Sequence, residues 1–181
     1  MGFADIPWDA KRNLEWNPQM TQPGRRANSP SMTPSSDWLK QLGSILENFA
    51  CQTGTLHHTA ADGGTLQLVA QIGVPDSLLD KVSVIPFGKG IAGAAAATKE
   101  PVELCNIQQD LGGVARVDAR QTGVAGSIAV PIVSASSGVV LGTLGVGKFV
   151  PYEFTEEEKA RLVEKARGIA EQFSDKAPRD D

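Results

Sequence analysis

Apolar residues first recur three or four apart, at Trp38, Leu39, Leu42, Ile45, Leu46 and Phe49. That spacing predicts an amphipathic helix with one broad buried stripe. Ser35 and Ser36 suit its N-cap, and Asp37 its first turn. The period then shortens. Residues 55–59 and 66–71 read as two strands, and Asp62-Gly63-Gly64 between them is a turn signal, so the pair predicts an antiparallel hairpin. Gly73-Val74-Pro75 ends it, and residues 75–82 read as a short helix with Pro75 near its first turn. Residues 83–87 form a short strand, 92–98 an alanine-rich helix and 101–104 another strand. Residues 127–133 and 139–146 make a second hairpin across Ser134-Ala135-Ser136-Ser137-Gly138. Pro131 predicts an edge or a bulge in the first of these strands. The last helix opens at Thr155, which with Glu158 makes a capping box. Leu162, Ala166, Ile169 and Phe173 give it an apolar stripe, widened by Val163 and Ala170.

Three segments lack this periodicity. Residues 1–37 hold Pro7, Pro18, Pro23, Pro30 and Pro34 among Asn, Ser, Thr and Gln, the composition of an extended arm. Trp8 and Trp16 are what could dock such an arm onto the domain or a partner. Residues 108–123 are polar and long for a connection inside one domain, as functional or mobile loops are. Residues 174–181 read as a charged tail. The compact part is thus 38–173. Its hairpins argue for an antiparallel α+β core rather than repeated βαβ units. Both terminal helices are expected on one sheet face. The short central helices and the polar loop then cover the other, which leaves room for a ligand cavity.

Composition narrows the function. The 181 residues suffice for one domain and a tail. The net charge is −4 and no basic block occurs, which argues against nucleic-acid binding. No apolar run approaches the roughly 20 residues of a membrane span, and the first ten residues lack the pattern of a secretion signal. The two cysteines, Cys51 and Cys105, are far apart and form no CxxC pair. A reducing, cytoplasmic setting is expected, with both thiols as small buried hydrophobes.

Gly88-Lys89-Gly90-Ile91-Ala92-Gly93 matches GxGxxG and lies between a strand and a helix. The flanking hairpins do not fit a dinucleotide fold. Glu100 and Glu103 come too soon for a ribose-binding acid. Lys89 is followed by Gly90 rather than Ser or Thr, so a P-loop fails too. What remains is a tight turn whose following amides can meet an anion. His57 and His58 are neighbours on a strand and point to opposite faces, so they cannot share a metal; solvent or structural roles are expected, and one of them can face the pocket. Cys105 ends a strand in the pocket region. Asp110, Arg116, Asp118, Arg120, Gln121 and Thr122 form a dense polar set in the long loop.

The order of these pieces resembles the GAF domain family. Gly54-Thr55-Leu56-His57, Gly64-Thr65-Leu66-Gln67-Leu68-Val69-Ala70 and Gly73-Val74-Pro75 are similar to its first hairpin. Ile85-Pro86-Phe87 running into the glycine turn, then Glu100-Pro101-Val102, resembles its centre. Ser127-Ile128-Ala129-Val130-Pro131-Ile132 and Val140-Leu141-Gly142-Thr143-Leu144-Gly145-Val146 resemble its closing hairpin, and Phe154-Thr155-Glu156-Glu157-Glu158 its last helix. The resemblance implies a six-stranded antiparallel sheet, helices on one side and a ligand pocket on the other. It implies a sensory module that binds a small molecule, and dimers through the terminal helices. The free methionine-(R)-sulfoxide reductase branch has a cysteine in the glycine turn, where this chain has Ala92, and another in the following loop, which has none here. Its acids on the closing hairpin match Ser127, Gly145 and Gly147. Bilin attachment and the cyclic-nucleotide phosphodiesterase signature find no counterpart.

The expectation is therefore a non-enzymatic sensor without a catalytic or metal site, acting through a partner or a dimer. Phe87, Ile91, Cys105, Asp110, Arg116, Gln121, Thr122, Ser127 and Thr143 are its candidate ligand residues. A small organic anion is preferred, met by Arg116, Arg120 and the amides near Gly90. The cofactor is left open. The alternatives are a ligand-free dimerisation or interaction module and a thiol enzyme built on Cys105.

Overall fold

A computed structural model describes residues 36–105 and 123–175. The chain runs α1 (Ser36–Phe49), β1 (Thr53–Thr59), β2 (Thr65–Ile72), α2 (Asp76–Ser83), β3 (Val84–Pro86), α3 (Gly90–Thr98), β4 (Val102–Leu104), β5 (Gly126–Val133), β6 (Val140–Lys148), α4 (Glu156–Asp175). The six strands form one antiparallel sheet in the order β3-β2-β1-β6-β5-β4. This is the α+β architecture expected from the sequence.

Local chemistry sets the corners. Asp62 Oδ1 accepts from the amides of Gly64 and Thr65 at 2.9 and 3.0 Å, which fixes the β1–β2 turn. Thr155 Oγ1 accepts from the Glu158 amide at 3.2 Å, and Glu158 accepts from the Thr155 amide at 2.9 Å. The capping box is therefore complete. The C-terminus of α1 is closed by Lys148, whose buried Nζ donates to the Phe49 and Ala50 carbonyls at 2.6 and 3.1 Å.

The two sheet faces are unequal. Trp38, Leu42, Ile45, Leu46 and Phe49 of α1 and Leu162, Ala166, Ile169 and Phe173 of α4 are buried on one face against Leu56, Ile128, Val130, Leu144 and Val146. Trp38 meets Phe173 edge-on, with ring centroids 5.1 Å apart. The other face carries α2 and α3, and its core is smaller: Leu66, Ile85, Ala92, Ala95, Ala96, Ala129 and Val140.

Several expectations shift. β1 and α3 begin two residues earlier than periodicity suggested, at Thr53 and Gly90, and β6 runs on to Lys148. β5 lies between β6 and β4 but has an open edge at Pro131, one of the two expected alternatives, and its register shift lies between Ile132 and Val133. Pro131 is tolerated because β4 pairs only with residues 127–129 and leaves that side of β5 open. α4 continues to Asp175, into the stretch read as tail. Trp8, Trp16 and the rest of the arm, and nearly all of the 108–123 loop, lie outside the described residues.

Candidate functional site

Alternation along β1 places Thr53, Thr55 and His57 on the α2/α3 face, with Gly54, Leu56 and His58 on the other. His58 accordingly packs edge-on against Phe173 of α4, centroids 5.0 Å apart. On β6, Gly145 lies opposite Thr55 and Gly147 opposite Thr53. A Cβ at Gly145 would come 2.9 Å from Thr55 Oγ1, and one at Gly147 would come 2.7 Å from Thr53 Oγ1. Bare backbone there leaves space above the sheet. Ser127 and Ala129 of β5 extend the same floor.

A cavity of about 170 Å³ sits on this floor. Val74, Leu78 and Val82 wall one side, Ile85, Ile91 and Ala92 another, and Leu104 and Val124 the far end. Lys81 and Lys89, both exposed, reach its rim. Among the described residues no Asp or Glu lines the cavity, and its described walls are mainly apolar.

His57 is the most deeply buried polar residue of this lining, 1% exposed, with Thr53 and Ser127 also buried. Its Nε2 lies 2.9 Å from the Val82 carbonyl. A carbonyl only accepts, so Nε2 carries the proton and Nδ1 offers a lone pair. That Nδ1 has no hydrogen-bond partner. Burial pushes the imidazole down to about 4, and the bond to Val82 opposes this only in part. The ring is therefore neutral at physiological pH. Its cross-strand neighbour Thr143 is fully buried, and its Oγ1 also lacks a partner. Among the described residues these are the two buried side-chain atoms left unpaired.

The glycine turn forms part of the rim. Gly88 and Gly90 take φ of 80° and 62°, which glycine adopts without strain. A Cβ at Gly93 would meet the Pro86 carbonyl at 2.3 Å, so glycine is what lets α3 start against β3. Lys89 occupies the N-cap and makes no side-chain cap bond. The amides of Gly90, Ile91 and Ala92 precede the helix's own hydrogen-bond ladder, and all three residues border the cavity.

Of the residues expected at the site, Ile91 and Ser127 line the cavity. Thr143 lies on the same face, buried beside His57 rather than on the cavity wall. Phe87 packs on the α3-side core instead, its amide held by the Gly64 carbonyl at 2.9 Å. Cys105 is exposed rather than buried, and it is not in the lining. β4 turns Leu104 to the cavity and ends there, and the Cys105 carbonyl accepts from the Tyr152 amide at 3.0 Å. Asp110, Arg116, Arg120, Gln121 and Thr122 lie outside the described residues. Sequence reasoning missed Thr53, Thr55, Leu78 and the two rim lysines, and gave His57 no definite place. The Thr-x-Thr-x-His alternation of β1 was the available signal.

Neither thiol touches the cavity. Cys51 is buried with the α1/α4 core, and burial pushes it up to about 11. Cys105 is also raised, by partial desolvation and then by the nearby Glu103 and Glu153 carboxylates. Neither has the low pKa of an activated nucleophile. Among the described residues no cluster of His, Cys, Asp and Glu could hold a metal, and no helix is long and apolar enough to cross a membrane.

Solved structures share this fold. The GAF domain of a phosphoenolpyruvate-protein phosphotransferase from Coxiella burnetii superposes with a TM-score of 0.64 at 23% identity, over 77% of this chain and 82% of that one. Free methionine-R-sulfoxide reductase from Neisseria meningitidis, in complex with its substrate, gives 0.63 at 20% identity over 75% of each chain. The type II reductase from Thermoplasma acidophilum gives 0.62 at 18% identity, over 77% of this chain and 92% of that one. No curated protein matches the chain in sequence. The sequence model of the GAF domain matches residues 35–171, and with the sheet order and the cavity above it the chain belongs to the GAF domain family.

Proposed function

We propose that this chain is a non-enzymatic sensory or regulatory domain that binds a small organic anion in the cavity over β1, β6 and β5. The observation that carries the reading is a pre-formed apolar cavity whose buried histidine keeps an unused acceptor. An unpaired buried polar atom is costly, and a bound molecule that completes it recovers that cost. The preference for an anion rests on Lys89 at the rim, the uncapped start of α3 and the lack of an acid among the described lining residues.

Thiol reduction is disfavoured by the chain's own residues. Both cysteines sit off the cavity. Ser127, Gly145 and Gly147 stand at the positions matched to the reductase branch's acids. Assembly through the terminal helices comes second, because the buried stripes of α1 and α4 are already used against their own sheet. Two free cysteines are in keeping with a reducing, cytoplasmic setting.

Native mass spectrometry of the freshly purified chain, with thermal-shift screening of small carboxylates, tests the proposal. A co-purified molecule, or an anion that raises Tm by several degrees at saturating concentration and is recovered unchanged, is the expected result. Dithiol-driven reduction of free methionine sulfoxide that is lost in Cys105→Ser would overturn it.

A further inference from the structure

The geometry points to a particular polarity of ligand: a compact, ring-sized acid that carries an uncharged O–H or N–H donor away from its acid group, rather than an α-amino acid. This rests on the cavity being a ligand site.

The argument starts from which protons are already committed. His57 Nε2–H is given to the Val82 carbonyl at 2.9 Å, which leaves Nδ1 as a lone pair and nothing else. Ser127 Oγ donates to the Val146 carbonyl at 3.0 Å, so its remaining capacity is also to accept. The two residues sit at opposite ends of the floor. His57 shares a rung with Thr143 and Pro131, whereas Ser127 shares one with Gly147 and Thr53, four residues along and two strands over. A ligand end placed at either point therefore meets an acceptor. Thr53 and Thr55 between them carry hydroxyls, which can serve in either sense.

Charge then selects the kind of donor. An ammonium group offers donors, but buried against these walls it needs a carboxylate, and among the described residues none lines the cavity. The rim makes this worse, because Lys89 and the first amides of α3 place positive charge there. A hydroxyl, amide or ring N–H satisfies His57 Nδ1 without bringing in a second cation. The same rim favours a carboxylate at the ligand's outer end.

Size sets the body between the two ends. An apolar cavity of about 150 Å³ accepts benzene, and the cavity here is about 170 Å³ with Leu78, Ile85, Ile91 and Val124 in its walls. One ring, or a branched aliphatic body of equal bulk, fills it.

Three probes of one shape separate the possibilities on the full chain: 4-hydroxybenzoate, benzoate and 4-(aminomethyl)benzoate. Binding is read by calorimetry and by methyl shifts of Leu78, Ile91 and Val124. 4-Hydroxybenzoate is expected to bind about tenfold tighter than benzoate, the worth of one buried hydrogen bond, with the ammonium probe weakest. The advantage should collapse to within about twofold in His57→Phe, with the fold checked by its amide spectrum, and should persist in Ser127→Ala if the donor lies at the His57 end. If His57→Phe fails to fold, the ¹⁵N shift of His57 Nδ1 in the unaltered chain reads the same contact, and it must move with the hydroxy acid and not with benzoate. Equal binding of benzoate and 4-hydroxybenzoate, or tighter binding of the ammonium probe, overturns the donor assignment and leaves the ligand site standing. If neither these three nor benzene moves the cavity methyls, the site itself is wrong.

Discussion

His57 is where burial, hydrogen bonding and titration meet in one side chain. Its folded pKa is about 4 against an ordinary value of 6.5, so it stays neutral in the folded chain where the unfolded chain takes up a proton. Above the unfolded value both states are neutral and stability is whole. As pH falls through the window from 6.5 to 4, only the unfolded state gains the proton, and stability is lost. The loss is on the order of 3 kcal/mol by the foot of that window. Half-buried His58 is lowered as well, and it adds to the slope in the same direction. Urea unfolding at about pH 7, 5.5 and 4 should show a steep decline in the native chain. His57→Phe should retain only the shallower part that His58 supplies, together with the onset near pH 4 of the acid loss from Asp62 and Glu158, whose pKa values are also lowered. Parallel pH profiles for the two proteins would mean that His57 is not held neutral by its site. The role of this residue was not legible from its place in the chain. Two adjacent histidines on a strand fix only that they face apart. Which one is sealed under α2 depends on the Val82 carbonyl, twenty-five residues away.

Elements were more legible than sites because each carries its own signal. The stripes of α1 and α4, the Asp62 turn and the Thr155–Glu158 box are encoded within a few residues and form as read. The closing of β1 against β6 is not local: Leu56 meets Leu144 from far along the chain. The glycines of β6 are its trace, and they differ in kind. A Cβ at Gly142 would lie 2.0 Å from the His57 carbonyl oxygen, a backbone atom held in the sheet. A Cβ at Gly145 would meet the Thr55 hydroxyl, which can rotate away. Gly142→Ala should therefore destabilise by about 3 kcal/mol or more, because the central strand pair must part. Gly145→Ala should cost about 1 kcal/mol and chiefly fill the cavity floor. Chemical denaturation of the two variants checks the order, and equal losses would show that the β1–β6 approach is looser than this geometry. Phe87 and Cys105 illustrate the opposite limit. Closeness to the glycine turn or to a strand end suggested the pocket, but Phe87 packs on the α3-side core and Cys105 is exposed, because position along the chain does not fix which way a residue just past a short strand turns.

At the scale of the molecule, pairing the first and last long strands at the sheet centre has one large consequence. Both terminal helices fall on the same face and share a core with large side chains, Trp38, Phe154 and Phe173 among them. The opposite face is left to α2 and α3, where α2 buries only Leu78 and α3 buries alanines and one glycine. Burial scales with apolar area, so stability is divided unevenly between the faces. Regions with few buried apolar contacts open at lower free energy than the whole. Hydrogen-exchange mass spectrometry should therefore find α2 and β3 exchanging well before α4 and β6, through local opening rather than global unfolding. A ligand in the cavity touches Leu78 and Val82 from below and adds contact area where the fold has least of it. Its strongest protection should fall on α2, with α1 and α4 little changed. A ligand's free energy would then go into ordering one thin layer, and that layer is what a partner could read as the bound state. Exchange of α2 in step with α4, both waiting on global unfolding, would rule out such a layer and with it this route for the signal.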